Sequence, residues 1–216
     1  MKRINHICLC AVALLAVCSA ARAQSPADLG TWVSIHATKS WGKPFITARL
    51  EHRSFKNVSA TECYFGMIGG GYALTPWLKA DAGYEFWKIP SAGDATFHKA
   101  TLGATGTLKK ESLAVSIREK YELSFNAAGG SPSGTLRSRL RAQYSIPSSS
   151  FTPYVMYEHF QTLSAGSWQR SLHYVGTEIK LGGPNILDVY YMYHLFPSAS
   201  GNSSCHVLGL CYMLVF

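Results

Sequence analysis

Past Ala20 the sequence has no apolar stretch approaching the roughly 20 residues that a membrane-spanning helix needs. A helical membrane protein is therefore excluded, which leaves a soluble fold or a barrel of strands. Charge is sparse as well: Asp, Glu, Lys and Arg make up 15% of the chain, with no basic run and no arginine-rich tail. Nucleic acid is not an expected partner. Cysteine is equally uninformative. Cys8, Cys10 and Cys18 fall in the apolar N-terminus, and Cys63, Cys205 and Cys211 form neither a disulfide framework nor a metal-binding spacing. Gly69-Gly70-Gly71 lacks the Lys-Ser/Thr of a phosphate-cradling loop, so no cofactor is expected either.

What is present begins with an export signal. Lys2 and Arg3 precede an apolar stretch from Ile7 to Ala20, and Ala21-Arg22-Ala23 offers the small-x-small pattern that signal peptidase cuts. Residues 1–23 are read as a cleaved signal peptide and 24–216 as one domain starting at Gln24. A lipid attachment at Cys18 is a weaker reading, because Val17 is larger than such sites prefer. Cleavage removes Lys2, Arg3 and Arg22, so the formal charge of +8 falls to +5.

Period-two alternation runs through nearly all of the remainder, in segments separated by turn residues. Leu78, Ala80, Ala82, Tyr84 and Phe86 oppose Lys79, Asp81, Gly83 and Glu85. Ile46, Ala48 and Leu50 oppose Thr47, Arg49, Glu51 and Arg53, and Leu136, Leu140, Ala142, Tyr144 and Ile146 oppose Arg137, Arg139, Arg141 and Gln143. Leu187, Val189, Tyr191 and Tyr193 oppose Asp188 and its neighbours. A strand sorts residues onto two sides in this way, whereas a helix scatters them. Further strands are predicted near 31–39, 61–71, 96–108, 112–125, 151–161, 168–181 and 205–216. Glu119 interrupts the apolar side of 112–125, as a bulge would.

A soluble β-sandwich also alternates, but its strands average about 5–6 residues. These segments approach the roughly 9–11 residues that cross a bilayer at a tilt. Trp32, Trp41, Tyr72, Trp77, Trp87, Tyr144, Phe151 and Trp168 lie near strand ends, which suits girdles at the two membrane interfaces. Tight links near Gly42, Leu74-Thr75-Pro76, Lys109-Lys110, Pro147-Ser148 and Gly182-Gly183-Pro184 alternate with longer polar stretches near 54–60, 88–95, 126–134, 162–167 and 196–204. The expected fold is all-β: a closed, antiparallel, up-and-down transmembrane barrel of 10 to 12 strands. Eleven are counted, against the even number usual in single-chain bacterial barrels.

The final strand places Leu208, Leu210, Tyr212, Leu214 and Phe216 on one side. This resembles the C-terminal signal read by the barrel-assembly machinery, since a free last strand can be captured through its edge and alternate side chains. Gly30-Thr31-Trp32, Glu51-His52-Arg53, Ala82 to Phe86, Arg137 to Tyr144, Tyr154 to Phe160, Arg170 with Val175-Gly176, and Asp188 to Tyr193 make up a wider layout. That layout resembles an outer-membrane family of unknown function, the domain of unknown function numbered two thousand four hundred and ninety. The resemblance implies a barrel in the outer membrane, with outer-membrane lipid and the assembly machinery as partners, and it assigns no activity.

On a barrel the polar side must line the interior. Eleven basic residues fall there: Arg49, Arg53, Lys79, Lys99, Arg118, Lys120, Arg137, Arg139, Arg141, Arg170 and Lys180. Seven acids accompany them: Glu51, Asp81, Glu85, Glu122, Glu158, Glu178 and Asp188. Paired, these side chains fill a narrow lumen and make a structural, mostly plugged barrel without catalysis. Left partly unpaired, they line a narrow channel biased toward a small anionic solute. Arg137, Arg139 and Arg141 form either a ladder for such an anion or partners for Glu122 and Glu158. A barrel-embedded lipid hydrolase is a third reading, from the same-side pairs Ser34 with His36 and Ser171 with His173.

Overall fold

Consecutive side chains of a strand point to opposite faces, so each alternating segment has one apolar and one polar side to place. The computed structural model of the protein describes residues 28–164, 166–198 and 201–216; the expected signal segment and the cut before Gln24 lie outside the described residues. Among the described residues eleven strands follow in chain order. They are β1 (Asp28–Ser40), β2 (Pro44–Phe55), β3 (Ala60–Ala73), β4 (Leu78–Ile89), β5 (Ala95–Lys110) and β6 (Leu113–Asn126), then β7 (Ser133–Tyr144), β8 (Phe151–Thr162), β9 (Trp168–Gly182), β10 (Asn185–Ser198) and β11 (Gly201–Val215). Each pairs with its neighbours in sequence, and β1 pairs with β11, so the sheet closes on itself.

The odd count decides how the barrel closes. In an up-and-down series of eleven, the first and last strands run the same way. β1 and β11 therefore pair in parallel, from Asp28–Cys205 to Thr38–Val215. The expectation of antiparallel pairing throughout is corrected at that one seam. The predicted segment 31–39 lies in a full strand, paired on its other edge with β2. The seam extends to the last residue: the Phe216 N–H donates to the Thr38 carbonyl at 2.9 Å, and the Ser40 N–H donates to the Phe216 carbonyl at 3.1 Å.

The links differ from the expected contrast of short and long. One rim carries 41–43, 74–77, 111–112, 145–150 and 183–184, and the other carries 56–59, 90–94, 127–132 and 163–167. Both rims have a longest link of six residues, 145–150 and 127–132. Most of the polar stretch 196–204 is strand, with Pro197 paired to Asn202 and Leu195 to Ser204. Polar side chains do not stop a backbone ladder, so pairing continues beyond the apolar part of each strand. Lys109 and Lys110 likewise belong to β5, and the turn is made by Glu111, at a φ of 52°, and Ser112.

The sorting is the reverse of a water-soluble core. Leu50, Ile68, Leu102 and Leu108 face outward at 63–74% exposure, while Glu85, Glu122 and Glu158 face inward at 1–2%. Glu119 forms no bulge: the β5–β6 ladder is continuous from Phe97–Asn126 to Lys110–Leu113. It points outward and accepts a hydrogen bond from the Ser138 hydroxyl of β7 at 2.6 Å.

Aromatic residues gather at both rims, though not all those expected. Trp41, Tyr72, Trp77, Tyr144, Phe151 and Phe216 are exposed at the rim of links 41–43, 74–77 and 145–150. Toward the other rim, outward tyrosines pair with histidines: Tyr84 with His98 and Tyr191 with His206 by hydrogen bonds, Tyr157 with His173 by ring contact. Trp32 and Trp87 are corrected from the girdle to the interior. They share parity with Ser34 and Glu85, and closeness to a strand end does not override the face that parity sets. Trp168 pairs with Gln161 across a bulge.

Candidate functional site

The inward sides of β2 and of β4 to β10 supply the polar side chains of the interior, while β3 and β11 turn Cys63, Phe65, Val207 and Cys211 inward, and closure brings the polar rows within reach of one another. Lys120 of β6 binds Glu85 of β4 and lies 3.2 Å from Glu122. Lys99 of β5 reaches Glu122 at 3.3 Å. Arg137 of β7 spans Glu122 at 3.5 Å and Glu158 at 2.8 Å, and Arg139 lies 3.9 Å from Glu158. On β2, Glu51 binds both Arg49 and Arg53, the latter at 2.6 Å. Glu51, Glu85, Lys120, Glu122 and Glu158 are all buried.

Several of these bonds skip a strand and so run as chords inside the barrel. Arg118 of β6 reaches over β5 to Asp81 of β4 at 2.5 Å. Gly103 lies beneath that bridge, where a Cβ would stand 2.9 Å from both Asp81 carboxylate oxygens. Arg141 of β7 passes over β8 to Glu178 of β9 at 2.5 Å. The Tyr154 hydroxyl of β8 crosses β9 to donate to Asp188 of β10 at 3.0 Å. Gly176 lies under it, since a Cβ there would stand 2.8 Å from the Tyr154 hydroxyl oxygen. Small residues on one strand thus make room for long side chains from the next.

Arg118 and Arg139 stand directly opposite each other on β6 and β7. Like charges in that relation repel, and the two guanidiniums turn apart, one to Asp81 and the other toward Glu158. The arginine row is therefore divided among three acids. Lys79 lies 5.8 Å from the Phe45 ring, and exposed Lys180 is near the rim of link 183–184; neither has an ion pair among the described residues. Sequence reasoning missed the inward aromatics Trp32, Trp87, Phe160, Tyr154 and Tyr174, whereas Tyr190 lies, as alternation placed it, on the side of Asp188. Parity was the signal that could have found them.

Above the charged layer, toward the rim of links 56–59 and 127–132, the interior opens into a chamber of about 660 Å³. Its lining includes Trp32, Arg53, Trp87, Phe97, Lys99, Gln169, Arg170, His194 and Phe196. Arg53 lies 3.6 Å from the Trp32 ring and 4.7 Å from the Trp87 ring. Arg170 stacks on Phe160 at 4.2 Å.

Of the two proposed hydrolase pairs, Ser34 and His36 take different partners. Ser34 accepts a hydrogen bond from Arg49 at 3.3 Å, while His36 Nε2 meets the Thr47 hydroxyl at 2.7 Å. Ser171 and His173 remain together on the outward side, at 3.4 Å. On β11, Leu208, Leu210, Tyr212 and Phe216 are exposed on the outer face and Leu214 is half-buried among them. No group of three metal-ligating side chains occurs among the described residues.

The family model described as a protein of unknown function (DUF2490) matches residues 29–204, which takes in all of β2 to β10 and most of β1. No curated protein matches the chain.

Proposed function

The chain belongs to the DUF2490 family of proteins of unknown function, and on that premise we propose that it is an outer-membrane barrel with a structural role. In this reading the interior is closed by its own ion pairs, and no solute passes. The carrying observation is the set of chords, Arg118–Asp81, Lys120–Glu85 and Arg141–Glu178, each laid over an intervening strand. Outward leucines and isoleucines meet lipid, and the two aromatic bands sit at its interfaces. Leu208, Leu210, Tyr212, Leu214 and Phe216 then serve as the signal read by the assembly machinery. No catalysis is assigned to Ser171 and His173, because their contact is long and Ser171 is only 5% exposed.

Protein recovered from outer-membrane fractions is expected to begin at Gln24 when its N-terminus is sequenced. Recovery from the cytoplasm with Met1 intact would contradict export. In planar bilayers the refolded barrel is expected to give no steady conductance. Ohmic, anion-selective current would replace this reading with the narrow channel that the excess of basic residues allows.

A further inference from the structure

The chamber is the part of the interior that a closed, structural barrel leaves unexplained. Three cations line it, and two are paired: Arg53 with Glu51 at 2.6 Å and Lys99 with Glu122 at 3.3 Å. Arg170 is different. Its guanidinium stacks on Phe160, its Nε is buried without a hydrogen-bond partner, and among the described residues it has no carboxylate within ion-pair distance. His194 of the adjacent β10 lines the same chamber, and its Nε2 is also buried without a partner.

A buried cation without an anion is strongly penalised. Glu122 and Glu158 are already engaged by Arg137, whose guanidinium lies 4.9 Å from the same Phe160 ring. Two further acids line the chamber. Asp28 accepts the backbone N–H groups of Lys56 and Asn57, each at 2.7 Å, and so is occupied at the β2–β3 link. Glu62 is the extra residue where the β2–β3 register shifts, and it lies beyond ion-pair distance of Arg170. Around these polar groups the walls are aromatic, with Trp32, Trp87, Phe97 and Phe196. Pockets of roughly 300–1,000 Å³ with apolar walls and a few convergent polar groups are the usual form of a small-molecule site.

We propose that the chamber binds an organic carboxylate with an apolar body, its acid group on Arg170 and His194 and its body against Trp32, Phe97 and Phe196. The proposal rests on the closed-lumen reading only in that the charged layer forms the chamber floor. Such a carboxylate has two sources, a lipid-derived chain or a soluble aromatic acid.

The test is calorimetric titration of the refolded mature barrel in lipid nanodiscs, with dodecanoate below its micellar concentration, with 2-naphthoate and with inorganic phosphate. At least one carboxylate is expected to saturate at one per chain, and phosphate is not. Dodecanoate alone identifies the lipid source, naphthoate alone the soluble one, and either supports the site. Arg170→Gln is expected to weaken binding at least tenfold. Phe196→Glu puts an acid on the wall without touching the ion pairs, and is expected to weaken binding also. The proposal is overturned if neither carboxylate saturates, if phosphate binds as well as they do, or if both variants bind like the parent. Should Arg170→Gln not refold, Phe196→Glu decides alone. Saturable binding in a conducting barrel would overturn the closed lumen and leave the site; a non-conducting barrel without binding would do the reverse.

Discussion

Glu158→Ala is expected to destabilise the folded barrel by about 3–5 kcal/mol, the usual consequence of removing one partner from a buried ion pair. Glu158 is 1% exposed and accepts from Arg137 Nη2 at 2.9 and 2.8 Å and from the Tyr174 hydroxyl at 3.2 Å. Arg139 depends on it too, at 3.9 Å. Without it Arg137 keeps Glu122, but Arg139 keeps no acid among the described residues within ion-pair distance. Urea unfolding of refolded barrels, followed by tryptophan fluorescence, measures the loss. Glu158→Gln should fall between parent and Ala, because it retains an acceptor for Tyr174 and loses the charge. The double change Glu158→Leu with Arg139→Met should recover much of the loss, since removing a buried pair entirely is far less costly than breaking it. Glu178→Ala should cost less than Glu158→Ala, because the Glu178 side chain is 22% exposed and its pair is reached by water. Equal unfolding midpoints for Glu158→Ala and the parent would show that the charged layer contributes nothing to stability.

Much of this architecture was legible because facing is a matter of parity. Leu78, Ala80, Ala82, Tyr84 and Phe86 could be separated from Lys79, Asp81 and Glu85 without any knowledge of a neighbour, and the count of eleven followed from the same pattern. The parallel seam is a consequence of that odd count, yet no residue of β1 or β11 announces the direction of its partner. Trp32 and Trp87 were misplaced where nearness to a strand end was weighed above parity. Glu119 is a different case. Its outward direction follows from alternation, but the hydroxyl that donates to it belongs to Ser138 on the next strand, 19 residues away.

The site was legible in composition and less so in connection. Arg137 finds Glu122 and Glu158 on the two strands flanking β7, which strand order alone makes available. Arg118–Asp81, Arg141–Glu178 and Tyr154–Asp188 reach over an intervening strand. Those depend on interior curvature and on Gly103 and Gly176 beneath the bridges, which no one-dimensional pattern encodes. The separate condition of Arg170 is also a three-dimensional fact. It emerges only once Glu122 and Glu158 are seen to be engaged by Arg137.

Ala82→Arg is the second change expected to have a large effect, about 2–4 kcal/mol if the barrel spans a bilayer, because an arginine turned to lipid near mid-depth costs that much. Ala82 is exposed on the outward side of β4, paired with Gly70 of β3 and Leu102 of β5. It lies near the middle of β4, several residues from Trp77 at one rim and from Ile89 at the other end of the strand, so its side chain has far to reach for water. The neighbouring Gly83 faces inward, and a Cβ there would stand 3.1 Å from the Thr101 hydroxyl, so a bulky change at Gly83 fails through crowding rather than through lipid. Depth supplies the cleaner comparison: Leu78→Arg, next to Trp77 at the rim, should cost no more than about 1 kcal/mol. Unfolding in vesicles of defined lipid separates the two positions, whereas in detergent micelles the gap should narrow because the apolar layer deforms. A soluble barrel would show neither the difference between Ala82 and Leu78 nor its dependence on lipid, since an arginine on a wet outer face pays no desolvation at any height.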